Sequence, residues 1–383
     1  MNIILRILIA IVDLFFIKKE KKKIVFPCII DDEWQGNCAF LYKHLKDTNK
    51  FEIIVLCNKK STLFNNIDIK NNILYIYSIK GIWHLLTSGT IIYHHGPLAG
   101  RIPLFPFNRF NLHINHGIHY KRVELALSPS SAEYKNKSFV KTKWFCKKHV
   151  VSSHIDALSC CTYYHVNLHD IYITGTPRND IFFHINDRTL PSSIKSDLIK
   201  IRNITKDKKI ILYAPTWRNI GGAYPFSEDE INILNVFLES MGYIFFYAGH
   251  PYLKNRKVPI SNHIIDYNKF NDIQSILYSS DILITDYSSI WIDFLLKDKP
   301  MISFQFDRDT YKDDRGFLFN ANKIFPGDIV FTFNELMDSL GKQSYNKEKY
   351  NYTRDLFHEF NDGKNCHRIE NVIKLETGHD TKE

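Results

Sequence analysis

The sequence has few of the residues that mark disulfide scaffolds or fibrous chains. It contains seven cysteines, an odd number with no Cys-x-x-Cys pair, and only 16 glycines and 13 prolines in 383 residues. This pattern argues against a disulfide framework and points to a reducing compartment. The tightest cluster of possible zinc ligands comprises Cys160, Cys161, His165 and His169. Adjacent cysteines rarely chelate one ion together, so we interpret this cluster as ordinary core and surface, and we expect no metal and no cofactor.

No hydrophobic run is long enough to cross a bilayer. Residues 3–17, IILRILIAIVDLFFI, would form a helix of about 22 Å, against a hydrocarbon layer of about 30 Å. Arg6 and Asp13 share one face of that helix, and a lysine-rich stretch follows it. The pattern predicts an amphipathic helix lying peripherally on the anionic, cytoplasmic face of the membrane, or alternatively a helix docked on the first domain.

The charge balance does not indicate a nucleic-acid-binding protein. Fifty Lys and Arg residues oppose 41 Asp and Glu, a formal net charge of +9, and much of this excess lies in residues 1–23. No recognition helix, RRM or zinc-finger signature accompanies it, so we expect no nucleic-acid partner. The 44% hydrophobic content is sufficient for about two packed domains.

Short apolar runs alternate with helical stretches along most of the chain, the pattern of an α/β protein. The alternation begins at IVFPCII, is interrupted by a polar stretch near residues 184–208, and restarts at KIILYAPTW. We therefore predict two doubly wound, Rossmann-type domains at 24–185 and 186–375, preceded by the helix at 1–23 and followed by a tail at 376–383. Ligands of such sheets bind beyond the carboxyl ends of the strands.

In the second half, a group of mainly polar residues, most of which can donate hydrogen bonds to phosphate, follows four predicted strands. They are Thr216, Trp217 and Arg218; His250; Asp286, Ser288 and Ser289; and Arg315. Serines at the start of a helix, imidazole and guanidinium groups all donate hydrogen bonds to phosphate oxygens. Their concentration in one half suggests a nucleotide diphosphate ligand.

In the first half, the segment Asn115-His116-Gly117-Ile118-His119-Tyr120-Lys121 follows an apolar strand. His116 is a candidate general base, because an unperturbed histidine has a pKa of about 6.5. Gly117 beside it allows close approach of a substrate. His94 and His95 precede a glycine in the same way and compete with His116 for this role. Arg178, in the segment TGTPRND, could cap a helix or contact the ligand.

These segments together resemble the CDP-glycerol glycerophosphotransferases of teichoic acid and capsule synthesis. The resemblance rests on YAPTWR, GHP, SDILITDYSSIWIDFLLKDKP, the Asp-Arg-Gly that follows, and TGTPRND. The family usually has His-Gly-Thr-Pro-Leu-Lys where this chain has His-Gly-Ile-His-Tyr-Lys, so His116, Gly117 and Lys121 match and the residues between them do not.

The resemblance implies a GT-B arrangement, with the acceptor on the first domain, the CDP-alcohol on the second, and reaction in the cleft between them. A hydroxyl of a lipid-linked acceptor at the membrane surface would attack the β-phosphorus of CDP-glycerol, and CMP would leave. His116 would be the base and His250 the pyrophosphate stabiliser. The residues that would contact the donor or its phosphates are Thr216, Arg218, Ser288, Ser289 and Arg315. Asp286 would orient its neighbours, because two anions repel.

Several alternatives stay open at this point. The donor could be CDP-ribitol, or the protein could be a GT-B glycosyltransferase that uses a nucleotide sugar, or a non-catalytic membrane-bound assembly protein. The acceptor, and whether one unit or many are added, also stay open. Asp307-Arg308-Asp309 matches the metal-binding Asp-x-Asp motif of another transferase fold, but its position favours a solvated loop.

Overall fold

The computed structural model describes residues 3–28, 34–94, 108–131, 134–135, 148–183, 188–216, 224–248, 261–308 and 316–378. The chain divides into two compact units. Unit 1 comprises residues 1–118, 123–192 and 358–383, and unit 2 comprises residues 119–122 and 193–357. The C-terminal segment, which the sequence alone assigned to the second domain, thus belongs to unit 1.

Each unit is built on one parallel sheet. The strands of unit 1 are β1 (Glu20–Cys28), β2 (Glu52–Cys57), β3 (Ile73–Tyr75), β4 (Ser88–Tyr93), β5 (Phe110–His113), β6 (Lys148–Val151) and β7 (Ile171–Ile173), in the order β3-β2-β1-β4-β5-β6-β7. The strands of unit 2 are β8 (Lys209–Tyr213), β9 (Tyr243–Tyr247), β10 (Ile264–Asp266), β11 (Ile282–Thr285), β12 (Met301–Phe304) and β13 (Asp328–Val330), in the order β10-β9-β8-β11-β12-β13.

In the described residues, helices precede, connect and follow the strands. They are α1 (Ile3–Phe15), α2 (Asn37–Thr48), α3 (Ile79–Thr87), α4 (His154–Tyr164), α5 (Ser192–Thr205), α6 (Glu228–Met241), α7 (Ile273–Ser279), α8 (Ile290–Phe294), α9 (Ala321–Ile324), α10 (Phe333–Lys342), α11 (Lys347–Phe357) and α12 (Asn365–Thr377). Local chemistry sets several of their ends. A capping box between Ser227 and Glu230 begins α6, for example, and Gly242, with φ 69°, ends it.

The strands are apolar runs because helices cover both faces of a parallel sheet. All residues of β4 and β9 are buried, and only the first residue of β8 is exposed. The register aligns equivalent apolar residues, as in Leu212↔Phe246 between β8 and β9. These buried strands hold the strand ends, and the polar residues that follow them, in fixed positions.

The strand order reverses direction once in each sheet, between β1 and β4 in unit 1 and between β8 and β11 in unit 2. At such a point the connections leave the sheet on opposite faces, which opens a crevice at the carboxyl ends of the two strands. Two doubly wound parallel sheets confirm the fold class expected from the sequence.

The N-terminal helix α1 shows its apolar side chains to solvent. Ile4, Leu8 and Phe15 are 63%, 53% and 72% exposed, whereas Asp13 is fully buried. The Asp13 carboxylate accepts hydrogen bonds from Lys19 and Arg109. The acidic residue of the expected polar face therefore points into unit 1, and the apolar side chains point outward. In the part of the chain that the structure describes, no helix is long and apolar enough to span a membrane.

Candidate functional site

In unit 2, a buried carboxylate joins the two strands at the point where the strand order reverses. Asp286 follows β11 and is 3% exposed. Its Oδ1 atom accepts a 2.7 Å hydrogen bond from the backbone N–H of Thr216, which lies three residues beyond β8. It also accepts one from the N–H of Tyr287. The loops that follow the two strands are thereby linked by one side chain.

Further hydrogen bonds fix the backbone around Asp286. Thr285 Oγ1 donates to the carbonyl of Ala214 at 2.7 Å, and Ser303 Oγ donates to the carbonyl of Asp286 at 3.1 Å. Gln305 Nε2 in turn donates to Ser303 Oγ at 2.9 Å. Strands β8, β11 and β12 therefore hold the loop residues rigidly, which is the preorganisation that binding a charged ligand requires.

Lys121 belongs to a four-residue segment, residues 119–122, that is part of unit 2 although the residues on either side of it belong to unit 1. Residues 119–122 separate from unit 1, and Lys121 forms an antiparallel bridge with Phe317. The N–H of Arg122 donates to the carbonyl of Gly316 at 3.1 Å, where a positive φ of 71° favours glycine. This bridge places Lys121 Nζ 3.2 Å from Thr216 Oγ1. Unit 2 thus combines a cation and a hydroxyl at the carboxyl end of β8.

The two serines expected to begin a helix lie just beyond Asp286. Ser288 Oγ accepts a long, 3.4 Å hydrogen bond from the N–H of Ile290, the first residue of α8. Ser289 occupies the capping position, but its hydroxyl makes no capping hydrogen bond. Both residues are partly exposed. The hydroxyls are therefore positioned near Asp286 without being strongly engaged by the end of the helix.

In unit 1, His116 lies on the loop after β5 and is exposed to solvent, with the partly exposed Gly117 beside it. His94, which follows β4, is only 8% exposed. Asn115 adopts a left-handed conformation, with φ 48°, which turns the chain sharply before His116. Of these two histidines, only His116 is exposed to solvent, as a base that meets a substrate must be.

Two buried asparagines hold the loop that carries His116. Asn37, fully buried at the start of α2, donates from Nδ2 to the backbone carbonyls of Asn115 at 2.7 Å and Ile114 at 3.2 Å. Asn115 Nδ2 donates to the carbonyl of Val150 at 2.9 Å. The loop is thus fixed to both the neighbouring strand β6 and helix α2.

Arg178 contacts the same loop. Its Nη1 atom donates to the carbonyl of His116 at 2.6 Å, and its backbone N–H donates to Asn37 Oδ1 at 3.1 Å. Gly36, with φ 53°, packs on the Arg178 side chain, since a Cβ at Gly36 would lie 3.4 Å from Arg178 Cδ. Arg178 therefore supports the backbone of His116, whatever further contact it makes with a ligand.

The structure brings together two of the predicted sets, one in each unit. Unit 1 joins His116, Gly117 and Arg178, and unit 2 joins Lys121, Thr216, Asp286 and the two serines. The predicted residues His250, Trp217, Arg218 and Arg315, and the alternative base His95, lie outside the described residues.

The supporting roles of Asn37 and Asn115 were not predicted from the sequence. The signals available were an asparagine at the start of a helix and one at the end of a strand.

Two doubly wound parallel sheets are typical of the GT-B-like fold. The solved structure of the wall teichoic acid polymerase TagF has this fold. The alignment covers 98% of this chain and 94% of the TagF chain, with a TM-score of 0.76 and 21% sequence identity. The family described as CDP-Glycerol:Poly(glycerophosphate) glycerophosphotransferase matches residues 10–375. The chain belongs to this family, as its motifs indicated.

Relatives include enzymes named for two different polyol phosphates. A teichoic acid poly(glycerol phosphate) polymerase of Bacillus spizizenii is 27% identical over 88% of this chain and 87% of its own length. The teichoic acid ribitol-phosphate polymerase TarL of Staphylococcus aureus is 32% identical over 58% of this chain. That alignment covers 40% of TarL, so this chain spans well under two thirds of that relative.

Proposed function

We propose that this chain transfers glycerol phosphate from CDP-glycerol to a hydroxyl of a lipid-linked acceptor at the membrane surface and releases CMP. The acceptor oxygen forms a bond to the β-phosphorus as the bond from that phosphorus to the CMP oxygen breaks. The proton of the hydroxyl passes to the base. The observation that carries the proposal is the assembly of Lys121, Thr216 and Asp286 where the strand order reverses, in a chain that belongs to the glycerophosphotransferase family.

The unit 2 residues have the chemistry to bind the donor's phosphates. The Lys121 ammonium group supplies positive charge, and the Thr216 hydroxyl supplies a hydrogen bond, 3.2 Å apart. The Asp286 carboxylate is anionic and would repel phosphate, but it is turned toward backbone N–H groups. We therefore assign Asp286 an orienting role. Ser288, Ser289, Arg218, Arg315 and His250 complete the proposed donor and pyrophosphate contacts.

In unit 1 we assign His116 as the general base for the acceptor hydroxyl. Its ring is exposed on a loop whose backbone is held by Asn37 and Arg178. Holding the base in one position contributes to catalysis, because phosphoryl-group transfer depends mainly on positioning and charge stabilisation. Gly117 leaves room beside the ring, and His94, being buried, is the weaker candidate.

Relatives of this chain are named for two different polyol phosphates. The longer curated alignment is to a glycerol-phosphate polymerase, which favours CDP-glycerol, whereas TarL is named for ribitol phosphate. A transferase of nucleotide sugars would release a nucleoside diphosphate instead of CMP. The experiment is to incubate purified protein and acceptor-containing membranes with CDP-glycerol, CDP-ribitol or a UDP-sugar, and to quantify the nucleotide products by chromatography.

Two variants show whether CMP release depends on the proposed donor site. Lys121→Ala should weaken use of the CDP-alcohol, whereas Lys209→Ala, at the amino end of the same strand β8, should not. CMP that requires acceptor and declines in Lys121→Ala supports the proposal. A nucleoside diphosphate from the UDP-sugar, with no CMP from either CDP-alcohol, would replace it with sugar transfer.

We also propose that α1 binds this chain to the cytoplasmic face of the membrane. Eight large apolar residues at its exposed side and end, from Ile4 to Phe16, are 38% to 75% exposed. Lys18, Lys21 and Lys22 are exposed beside them and would attract anionic headgroups. An apolar helix face flanked by cations is the pattern of an interfacial helix.

Vesicle co-sedimentation tests this second proposal. Leu8→Gln combined with Phe15→Gln should release the protein from vesicles that contain anionic lipid. The matched control is Ile233→Gln combined with Val236→Gln, two residues of α6 that are 51% and 68% exposed. Equal binding of both double variants would contradict the membrane role of α1.

A further inference from the structure

A histidine of α2 faces a histidine and a glutamate of α12, the C-terminal helix of unit 1. His44 Nε2 lies 2.9 Å from Glu370 Oε2, and His367 Nδ1 lies 3.8 Å from the same oxygen. One ligand atom from each residue lies within 4.8 Å of the other two. His44 and Glu370 are 326 positions apart in the sequence, so no local motif predicts the cluster.

We propose that His44, His367 and Glu370 bind one divalent ion of the zinc class, which ties α12 to α2. Two imidazoles and one carboxylate are a ligand set that Zn²⁺ accepts, with water in the fourth position. Ligands about 2.1 Å from a tetrahedral ion are about 3.4 Å from one another. The measured separations of 2.9 and 3.8 Å lie on either side of that value. The ligand atoms of His44 and His367 lie within 4.8 Å of each other, so side-chain rotations would have to bring the three ligand atoms onto one ion.

The two carboxylate oxygens of Glu370 have different neighbours, and one of them faces the proposed ion. Its side chain is 1% exposed. Its Oε1 atom accepts hydrogen bonds from Lys374 at 2.9 Å and Lys50 at 3.2 Å, while Oε2 faces the imidazoles. The carboxylate thus keeps one oxygen for the lysines and offers the other to an ion. The two ammonium groups repel a dication, so we expect weaker binding than at a closed site with four protein ligands.

The second nitrogen of His367 also has a neighbour suited to metal binding. Its Nε2 atom lies 3.3 Å from Asn371 Nδ2, one turn further along α12. With the Asn371 amide turned over, its oxygen accepts the Nε2 proton and leaves the Nδ1 lone pair for the ion. Such a hydrogen bond to the second ring nitrogen fixes the tautomer and orientation of a metal-binding histidine.

The ion would strengthen an existing attachment of α12 within unit 1. At the start of this helix, Asp180 accepts hydrogen bonds of 2.9 Å from the N–H groups of Asn365 and Cys366. Asp180 belongs to the same turn as Arg178, which contacts the carbonyl of His116. The inference concerns binding alone and does not depend on the proposed transferase activity, so the two can fail separately.

Titration with Zn²⁺ tests the site. The full chain, with any affinity tag removed, is treated with EDTA, exchanged into metal-free buffer and titrated by calorimetry, with Co²⁺ absorption as a second measurement. We expect one saturable equivalent, and a loss of affinity of about tenfold or more in both His367→Ala and Glu370→Gln. His367 is 55% exposed, so its replacement should leave the fold intact.

The matched control is His169→Ala, another exposed histidine of unit 1, which should bind the ion as the wild type does. Zn²⁺ should also raise the Tm of the wild type and of His169→Ala, but not that of His367→Ala. Absence of a saturable equivalent, or unchanged affinity in His367→Ala, would overturn the proposal and leave an ordinary His44–Glu370 ion pair.

Discussion

Asn37 Nδ2 donates a 2.7 Å hydrogen bond to the backbone carbonyl of Asn115, the residue before His116. The same side chain accepts a hydrogen bond from the N–H of Arg178. One buried amide therefore connects the start of α2, the loop of the proposed base and the turn that carries Arg178. The position of the base depends on a residue that need not contact any substrate.

Asn37→Ala should lower kcat about tenfold or more while changing KM little, because a loop displaced by about 1 Å misplaces the base. The free energy of unfolding should fall by about 2 kcal/mol, since buried backbone carbonyls lose their donor. Asn72→Ala is the matched control, because Asn72 Nδ2 donates to the carbonyl of Ile53 elsewhere in unit 1. A similar loss of kcat in Asn72→Ala would mean that the effect is only structural.

Asp286→Ala should raise the KM for the CDP-alcohol about tenfold, because the loops carrying Thr216 and Tyr287 lose their shared acceptor. Asp286→Asn should be milder, since an amide oxygen can still accept one of these hydrogen bonds. The control is Asp281→Ala, which removes an acceptor for the N–H of Ile210 at the opposite end of the same two strands. Equal KM changes in Asp281→Ala and Asp286→Ala would contradict a local role at the carboxyl ends.

Arg109→Met should destabilise unit 1 by about 3 kcal/mol, because the buried Asp13 carboxylate loses a cation that contacts it. Adding Asp13→Leu should recover much of this loss, since a packed apolar pair replaces a buried ion pair at little cost. Urea unfolding of the two variants measures the difference. A double variant less stable than Arg109→Met would show that the ion pair does more than orient α1.

The free energy of unfolding should fall at acid pH as Glu370 becomes protonated. Burial alone would raise its pKa, but hydrogen bonds from Lys374, His44 and Lys50 outweigh burial and lower the pKa to about 2. The stabilisation is therefore complete above the unfolded pKa near 4.5 and is lost as the pH falls toward 2. In EDTA, the difference in unfolding free energy between wild type and Glu370→Gln should shrink below pH about 4.5. A difference independent of pH would contradict this account.

The sheets could be predicted from the sequence because a buried parallel strand is a continuous apolar run. ILIT and KIILY, for example, form β11 and β8, with the expected polar residues at their ends. The path of Lys121 into unit 2 could not be predicted, since it depends on a bridge to Phe317, far along the chain. The support from Asn37 could not be predicted either, because its hydrogen bond to the loop of His116 reaches a residue 78 positions away in the sequence.

In the proposed reaction, His116 accepts the proton of the acceptor hydroxyl. The most direct measurement is the rate of acceptor-dependent CMP release from CDP-glycerol by His116→Ala, compared with His94→Gln and with wild type. The account predicts a fall of about 10² to 10⁴ in His116→Ala, with donor affinity retained, and a much smaller change in His94→Gln. Near-normal CMP release by His116→Ala, or a larger fall in His94→Gln, would contradict it.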